Sequence, residues 1–73
     1  RDVAPSRGLG DVYKRQGVKM VIEETRDLAE TADCVVIEAI LVDDGLRYKQ
    51  LSVGIKDESG DIIRIVPIST VLI

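Results

Sequence analysis

Residues 34–65 read CVVIEAILVDDGLRYKQLSVGIKDESGDIIRI and carry the strongest structural signals in the chain. Asp44-Gly45 stands between two apolar runs there, and this is the strongest short-range signal for a β-hairpin. A type I′ turn needs positive φ at both central residues, which Asp and Gly tolerate. With a two-residue loop at Asp44-Gly45, Leu41 lies opposite Tyr48. The sequence therefore predicts a tight antiparallel hairpin at this point.

A second hairpin is predicted to share the strand 46–56 with the first one. Glu58-Ser59-Gly60 suits a three-residue loop with Gly60 in the left-handed region. Near Lys49-Gln50, the apolar residues of the shared strand switch from even-numbered to odd-numbered positions. We therefore expect one extra residue there, as a β-bulge. The pairs that follow are Ala39 with Leu51, Ile37 with Val53, Val35 with Ile55, Ile55 with Ile63 and Val53 with Ile65.

The first sixteen residues, RDVAPSRGLGDVYKRQ, resemble a translated sequencing adapter. Residues 6–16 match one reading frame of a tagmentation adapter, and Arg1-Asp2 fits the end of the flow-cell adapter that precedes a sample index. We therefore predict that residues 1–16 are an adapter-derived artefact outside the fold. Residues 17–73 are expected to form one small domain, with its natural start at Met20 or further upstream.

The composition of residues 17–73 limits the kinds of site that we expect. They hold six basic and eleven acidic residues, a net charge of −5. Cys34 is the single cysteine and histidine is absent, so neither an internal disulfide nor a Cys/His zinc site is expected. We predict no cofactor and no metal site. Below roughly 70–80 residues a core rarely gives more than about 3–5 kcal/mol, so a protein partner or self-association is expected.

Two further features concern the location of the protein. No uninterrupted apolar run is long enough to span a membrane, so we expect no membrane association. A lone cysteine and the lack of a secretory signal favour the cytoplasm.

The order of predicted elements resembles the five-stranded SH3-like barrel. Residues 65–71 are similar to the hydrophobic-Pro-x-Ser-x-x-Val closure of SH3-like domains. This resemblance implies an all-β fold, a small five-stranded SH3-like barrel made from a strongly bent antiparallel meander. The expected order is a strand at 18–24, a polar loop at 25–33, the meander, a strand at 61–66 that ends before Pro67, and a short strand at 71–73.

The expected function is that of a non-catalytic protein-interaction or assembly module, alone or within a larger protein. One alternative comes from residues 44–48, Asp-Gly-Leu-Arg-Tyr, which resemble the start of the first Sm-like motif. That resemblance implies an RNA-binding ring oligomer. The other alternative is an accessory domain of an enzyme whose catalytic part lies upstream.

No catalytic constellation is visible in the sequence, so we predict that the chain is not an enzyme. The acidic pairs Asp43-Asp44 and Asp57-Glu58 lie in predicted turns, where carboxylates favour local backbone hydrogen bonds. Cys34 lacks a histidine base and is interpreted as a small buried hydrophobic residue.

A basic strip is the one candidate binding surface in the sequence. Arg47 and Lys49 alternate outward along a strand, and Arg64 is expected nearby. Such a strip would bind phosphate or an acidic partner segment. The other interpretation is solubilising charge at a sheet edge. Because a net charge of −5 repels a polyanion, we rank that interpretation above nucleic-acid binding.

Overall fold

The computed structural model describes residues 9–73 as one helix and one antiparallel sheet. Residues 1–8 of the predicted adapter-derived segment lie outside the described residues. The sheet has four strands in the order β1-β2-β3-β4, so each strand pairs with its neighbour in sequence. The elements are α1 Leu9–Arg15, β1 Val21–Glu30, β2 Cys34–Asp43, β3 Leu46–Lys56 and β4 Ile62–Leu72.

The predicted all-β antiparallel meander and both of its turns are confirmed. Asp44 and Gly45 have φ values of 53° and 80°, as a type I′ turn requires. Leu41 lies opposite Tyr48. Gly60 has a φ of 88°, in the left-handed region.

The predicted five-stranded barrel is wrong, because the described residues form an open four-stranded sheet. Strand β4 continues past Pro67 through one bulge at Ile68, and Val71 and Leu72 still pair with β3. An edge strand tolerates proline, since one side of its backbone has no strand to bond. The expected fifth strand is therefore the end of β4.

The predicted loop at residues 25–33 is mostly strand. β1 runs from Val21 to Glu30 and pairs with β2, with register shifts that leave Glu23 and Leu28 as extra residues. The bulges let a polar segment follow the twist of β2 without breaking the pairing. The connection that remains between β1 and β2 is short.

The predicted bulge in the shared strand is also wrong. β2 and β3 pair without a shift, so Ala39 faces Gln50 and Ile37 faces Ser52. Gln50 and Ser52 are buried, and the Ser52 hydroxyl donates to Gln50 Oε1 over 3.0 Å. Because these polar groups satisfy one another, no bulge is needed to remove them from the core. The second hairpin differs by one residue, with Ile55 opposite Arg64 and Val53 opposite Val66.

One face of the sheet, here called the covered face, packs against α1. Val35, Ile37, Ile62 and Ile65 of that face form the core together with Leu9, Val12 and Tyr13 of the helix. The opposite, open face carries alternate residues of the same strands, and its side chains are half-buried or exposed. Among residues 9–73, no helix is long and apolar enough to cross a lipid bilayer.

Helix α1 belongs to the segment that the sequence assigns to an adapter. Its apolar residues Leu9, Val12 and Tyr13 follow the i, i+3, i+4 spacing of an amphipathic helix. The adapter origin stays a prediction. In the structure, residues 9–16 cover the core, whereas we expected the segment to lie outside the fold.

Candidate functional site

An acid–lysine cluster lies on the covered face, near the end of the sheet where β1 and β3 finish. It consists of Asp27 and Glu30 on β1 and Lys56 on β3. Asp27 pairs with Ile37, Glu30 with Val35, and Lys56 with Ile62, and these three partners are core residues. Directly paired residues project to the same face of a sheet. The register therefore brings two carboxylates and one ammonium group to a common surface.

The Lys56 ammonium is held by two acceptors from the end of β1. Its side chain is only 7% exposed. It forms an ion pair with the Glu30 carboxylate and donates to the Thr31 carbonyl oxygen over 2.9 Å. A buried ammonium needs such partners, because desolvation of an unpaired charge is costly. The position of Lys56 is therefore fixed by the β1–β2 connection.

The β1–β2 connection is itself ordered by Thr31. The Thr31 hydroxyl accepts hydrogen bonds from the backbone N–H groups of Asp33 and Cys34, both over 3.2 Å. The Lys56 backbone N–H donates to the Asp33 carbonyl oxygen over 2.9 Å. Cys34 is half-buried beside Thr31, with Sγ 3.5 Å from the hydroxyl oxygen. These bonds make the connection a stable support for the cluster.

Asp27 is exposed, and its surroundings raise the pKa of its carboxyl group. Burial raises the pKa of its carboxyl group, the Glu30 carboxylate raises it further, and the Lys56 ammonium partly offsets the shift. A carboxylate with a raised pKa accepts a proton more effectively near neutral pH. The cluster therefore combines a base, Asp27, with a cation, Lys56, and Glu30 orients the cation.

Residues 9–73 contain no group of three or more His, Cys, Asp or Glu side chains that is placed to hold a metal ion. The chemistry that the cluster itself supports is proton transfer together with electrostatic stabilisation of an anion.

The three residues of the predicted basic strip do not lie together in the structure. On the open face, Arg47 forms an ion pair with Glu23, and Lys49 lies 4.0 Å from Glu38. Arg64 pairs with Ile55, whereas Lys49 pairs with Val71. Ile55 is the sixth residue after Lys49 on β3, a distance of roughly 20 Å along the strand. Arg47 and Lys49 are thus neighbours, and Arg64 lies towards the other end of the sheet.

Two other regions are weaker candidates. The Asp57 carboxylate accepts from the backbone N–H groups of Ser59 and Asp61, over 2.9 and 3.0 Å, which is the turn role expected from the sequence. A cleft of about 550 Å³ lies between α1 and the start of β1. Its lining includes Lys14 and Lys19 but no carboxylate, so it lacks a base.

The sequence analysis missed the acid–lysine cluster for a specific reason. Asp27 and Glu30 are three residues apart, and in a regular strand they would point to opposite faces. The extra residue at Leu28 restores the common face. No local pattern reveals that bulge, because residues 25–33 are polar throughout most of their length.

Comparison with known proteins gives one informative match. No family model and no curated protein matches the sequence. A crystal structure described as "a putative nuclease with anti-Cas9 activity from an uncultured Clostridia bacterium" matches with 94% sequence identity and a TM-score of 0.70. The match covers 74% of this chain and 96% of that protein.

This match contradicts our sequence predictions about function and about enzymatic activity. A relative at 94% identity that is described as a nuclease conflicts with a non-catalytic interaction or assembly module, and with the Sm-like and accessory-domain alternatives. It also conflicts with the prediction that the chain is not an enzyme. No local sequence pattern indicates the acid–lysine cluster, because its residues come together only when β1 and β3 pair with β2. At this identity and coverage, the chain belongs to the same family as that Clostridia protein.

Proposed function

We propose that this chain is a nuclease with anti-Cas9 activity and that the acid–lysine cluster hydrolyses phosphodiester bonds of a nucleic acid. The observation that carries the proposal is the 94% identity to the Clostridia protein across 96% of its length. The cluster supports it independently, because it places a base beside a fixed cation.

Hydrolysis of a phosphodiester needs a deprotonated water and stabilisation of negative charge on the phosphoryl oxygens. Asp27 accepts the proton of the attacking water as its oxygen bonds to phosphorus. The bond to the leaving oxygen breaks, and that oxygen takes a proton from solvent. The Lys56 ammonium faces the charge that develops on the phosphoryl group. Glu30 acts through Lys56, as a positioning residue.

Three predictions from the sequence accompany this proposal. The strip of Arg47, Lys49 and Arg64 would bind backbone phosphates away from the cluster, since these residues lie on the open face and the cluster lies on the covered face. A protein partner or self-association, and a cytoplasmic location, also stay predictions.

A cleavage assay tests the proposal with a matched pair of variants. The full chain is incubated with labelled DNA and RNA, and in parallel with a Cas9 cleavage reaction. Asp27→Asn should lower the cleavage rate by roughly 10²–10⁴-fold, the usual contribution of a general base. Asp44→Asn is the control, because it removes the same charge from the turn at the opposite end of β3 and suits that turn.

Two different outcomes of this assay would contradict the proposal, and each one points to a different error. Absence of cleavage and of Cas9 inhibition by the wild-type chain would overturn the function. Cleavage by Asp27→Asn at the wild-type rate would overturn the site and leave the function standing.

A further inference from the structure

The Thr31 hydroxyl group uses its full hydrogen-bonding capacity within the connection between β1 and β2. This connection consists of residues 31–33, since β1 ends at Glu30 and β2 begins at Cys34. A hydroxyl group has one donor and two acceptor positions. That of Thr31 accepts from the Asp33 and Cys34 N–H groups, both over 3.2 Å, and donates to the Cys34 carbonyl oxygen over 3.4 Å. The Thr31 N–H donates to the same carbonyl oxygen over 2.8 Å. Thr31 therefore sets the shape of the turn.

The remaining polar atom of Thr31, its carbonyl oxygen, contacts Lys56. It accepts from the Lys56 ammonium group over 2.9 Å. The backbone of Lys56 meets the same connection, because its N–H donates to the Asp33 carbonyl oxygen over 2.9 Å. A lysine side chain is otherwise flexible. The connection thus holds this lysine at both ends and limits where its ammonium group lies.

The two acceptors of the Lys56 ammonium group differ in mobility. The Glu30 side chain is 46% exposed, and a half-exposed carboxylate keeps rotamer freedom. The Thr31 carbonyl oxygen belongs to a turn that four hydrogen bonds hold. The backbone acceptor therefore sets the direction of the ammonium group.

The hydrogen bonds of Lys56 leave one donor for a substrate. An ammonium group has three N–H donors. Within residues 9–73, Glu30 and Thr31 take two of them. The third N–H is available to one phosphoryl oxygen.

We infer that Thr31 is a positioning residue for the proposed hydrolysis: its hydroxyl group shapes the turn so that its carbonyl oxygen aims the third N–H of Lys56 at a single phosphoryl oxygen. This inference rests on the proposed nuclease function and on Lys56 as the cation of that site. Thr31 is exposed, so its replacement opens no cavity in the core. Its effect on Lys56 is therefore separable from packing.

Thr31→Val tests the hydroxyl group, because valine keeps the branched shape and removes the donor and the acceptors. With labelled DNA or RNA as substrate, kcat of the full chain should fall by roughly 10–100-fold while KM changes little, since Lys56 faces charge that develops in the transition state. Thr31→Ser keeps the hydroxyl group and should restore cleavage to nearly the wild-type rate. A wild-type kcat in Thr31→Val would overturn the inference.

The same substitution in a Lys56→Met background separates positioning from a general structural effect. Lys56→Met alone should lower kcat by roughly 10²–10³-fold, the usual effect of removing one charge-stabilising donor. Because Thr31 acts through Lys56, Thr31→Val should add no further loss in that background. An equal fold-loss in both backgrounds would overturn the inference, since it would show an effect on the fold or on another group.

The Lys56 ammonium group also gives a readout that does not depend on activity. An ammonium group held by protein acceptors exchanges its protons slowly and gives a signal in the NMR spectrum of the ¹⁵N-labelled chain. Absence of this signal from Lys56→Met assigns it. The wild-type chain and Thr31→Ser should show the signal, and Thr31→Val should lose it through faster exchange. A signal that survives Thr31→Val would overturn the inference.

Failure of the proposed function has a different result from failure of this inference. A wild-type chain that cleaves neither DNA nor RNA overturns the function, and with it any role of Thr31 in hydrolysis. An active wild-type chain with an equally active Thr31→Val overturns the inference alone. If Thr31→Val is unfolded by circular dichroism, Thr31→Ala replaces it. If that variant is unfolded too, the hydroxyl group is required for folding, and the inference is overturned.

Discussion

The Lys56 ammonium forms an ion pair with the Glu30 carboxylate, 26 residues earlier in the chain. The pair crosses β2, the strand between them, and joins the end of β1 to the end of β3. Lys56 is nearly buried, whereas the Glu30 side chain is 46% exposed. This one contact thus ties β1 to β3 and also orients the proposed catalytic cation.

Loss of one partner of this pair should cost more than loss of both. Glu30→Gln leaves the Lys56 ammonium without its carboxylate, and we expect roughly 1–2 kcal/mol less stability, since Glu30 is half exposed. Adding Lys56→Met should recover most of that loss but not the nuclease activity. Urea unfolding of the two single variants and the double variant measures this coupling. Additive losses would show that the ion pair has no energetic role.

Removal of the Asp27 charge should lower the nuclease activity without lowering the stability of the fold. Burial and Glu30 raise the pKa of the Asp27 carboxyl group above 3.8, so the unfolded chain releases this proton first as the pH rises. The contribution of Asp27 to stability is therefore present at low pH and is lost as the pH rises through the folded-state pKa. Asp27→Asn should leave the thermal midpoint at pH 7 unchanged or higher while it lowers the cleavage rate by roughly 10²–10⁴-fold. A clearly lower midpoint would indicate a structural role.

The pH dependence of cleavage should report the same group. Since the pKa of Asp27 is raised, the acid limb of the rate profile should lie above 3.8, the ordinary value for an aspartate. The cleavage rates of the wild-type chain and of Asp44→Asn should fall over the same acidic pH range. Residual activity of Asp27→Asn should not follow it. An identical limb in all three proteins would assign the titration to another group.

Gly54 should resist any side chain. A Cβ atom there would lie 3.2 Å from side-chain atoms of Val35, Ile37 and Ile62, all in the core. Gly54→Ala should therefore lower the free energy of unfolding by about 1–3 kcal/mol. Gly10→Ala is the control, because a Cβ at this helical position meets nothing within 4 Å and alanine favours a helix. In thermal unfolding, Gly10→Ala should have a midpoint at or above that of the wild-type chain, and Gly54→Ala should have a lower midpoint.

The docking of α1 should weaken in strong alkali. Burial raises the pKa of the Tyr13 hydroxyl above its ordinary value of 10.0, and the nearby Ser52 hydroxyl partly offsets this. The unfolded chain then loses the proton first, so stability is full below pH 10 and falls as the pH rises through the folded-state pKa. Denaturant unfolding at a series of alkaline pH values measures the slope. Tyr13→Phe should be less stable at neutral pH and should lack the part of the slope that Tyr13 contributes.

The two turns and the alternation of β2 could be predicted from short-range sequence patterns. Asp44, Gly45 and Gly60 impose positive φ wherever the rest of the chain lies, and these are short-range effects. Val35, Ile37, Ala39 and Leu41 are buried together, as their spacing predicts. These features depend on neighbours a few residues apart, which the sequence displays directly.

The strand register beyond those turns, and with it the candidate site, depends on contacts between residues far apart in the sequence. Gln50 enters the core because it pairs with the distant hydroxyls of Tyr13 and Thr70, and Ser52 pairs with Gln50. Ile68 bulges so that β4 continues past Pro67. The bulge at Leu28 turns Asp27 and Glu30 to one face, where Lys56 arrives from another strand. The physical reason is that a bulge or a buried polar group is stable only when its cross-strand partners compensate for it, and those partners are remote in the sequence.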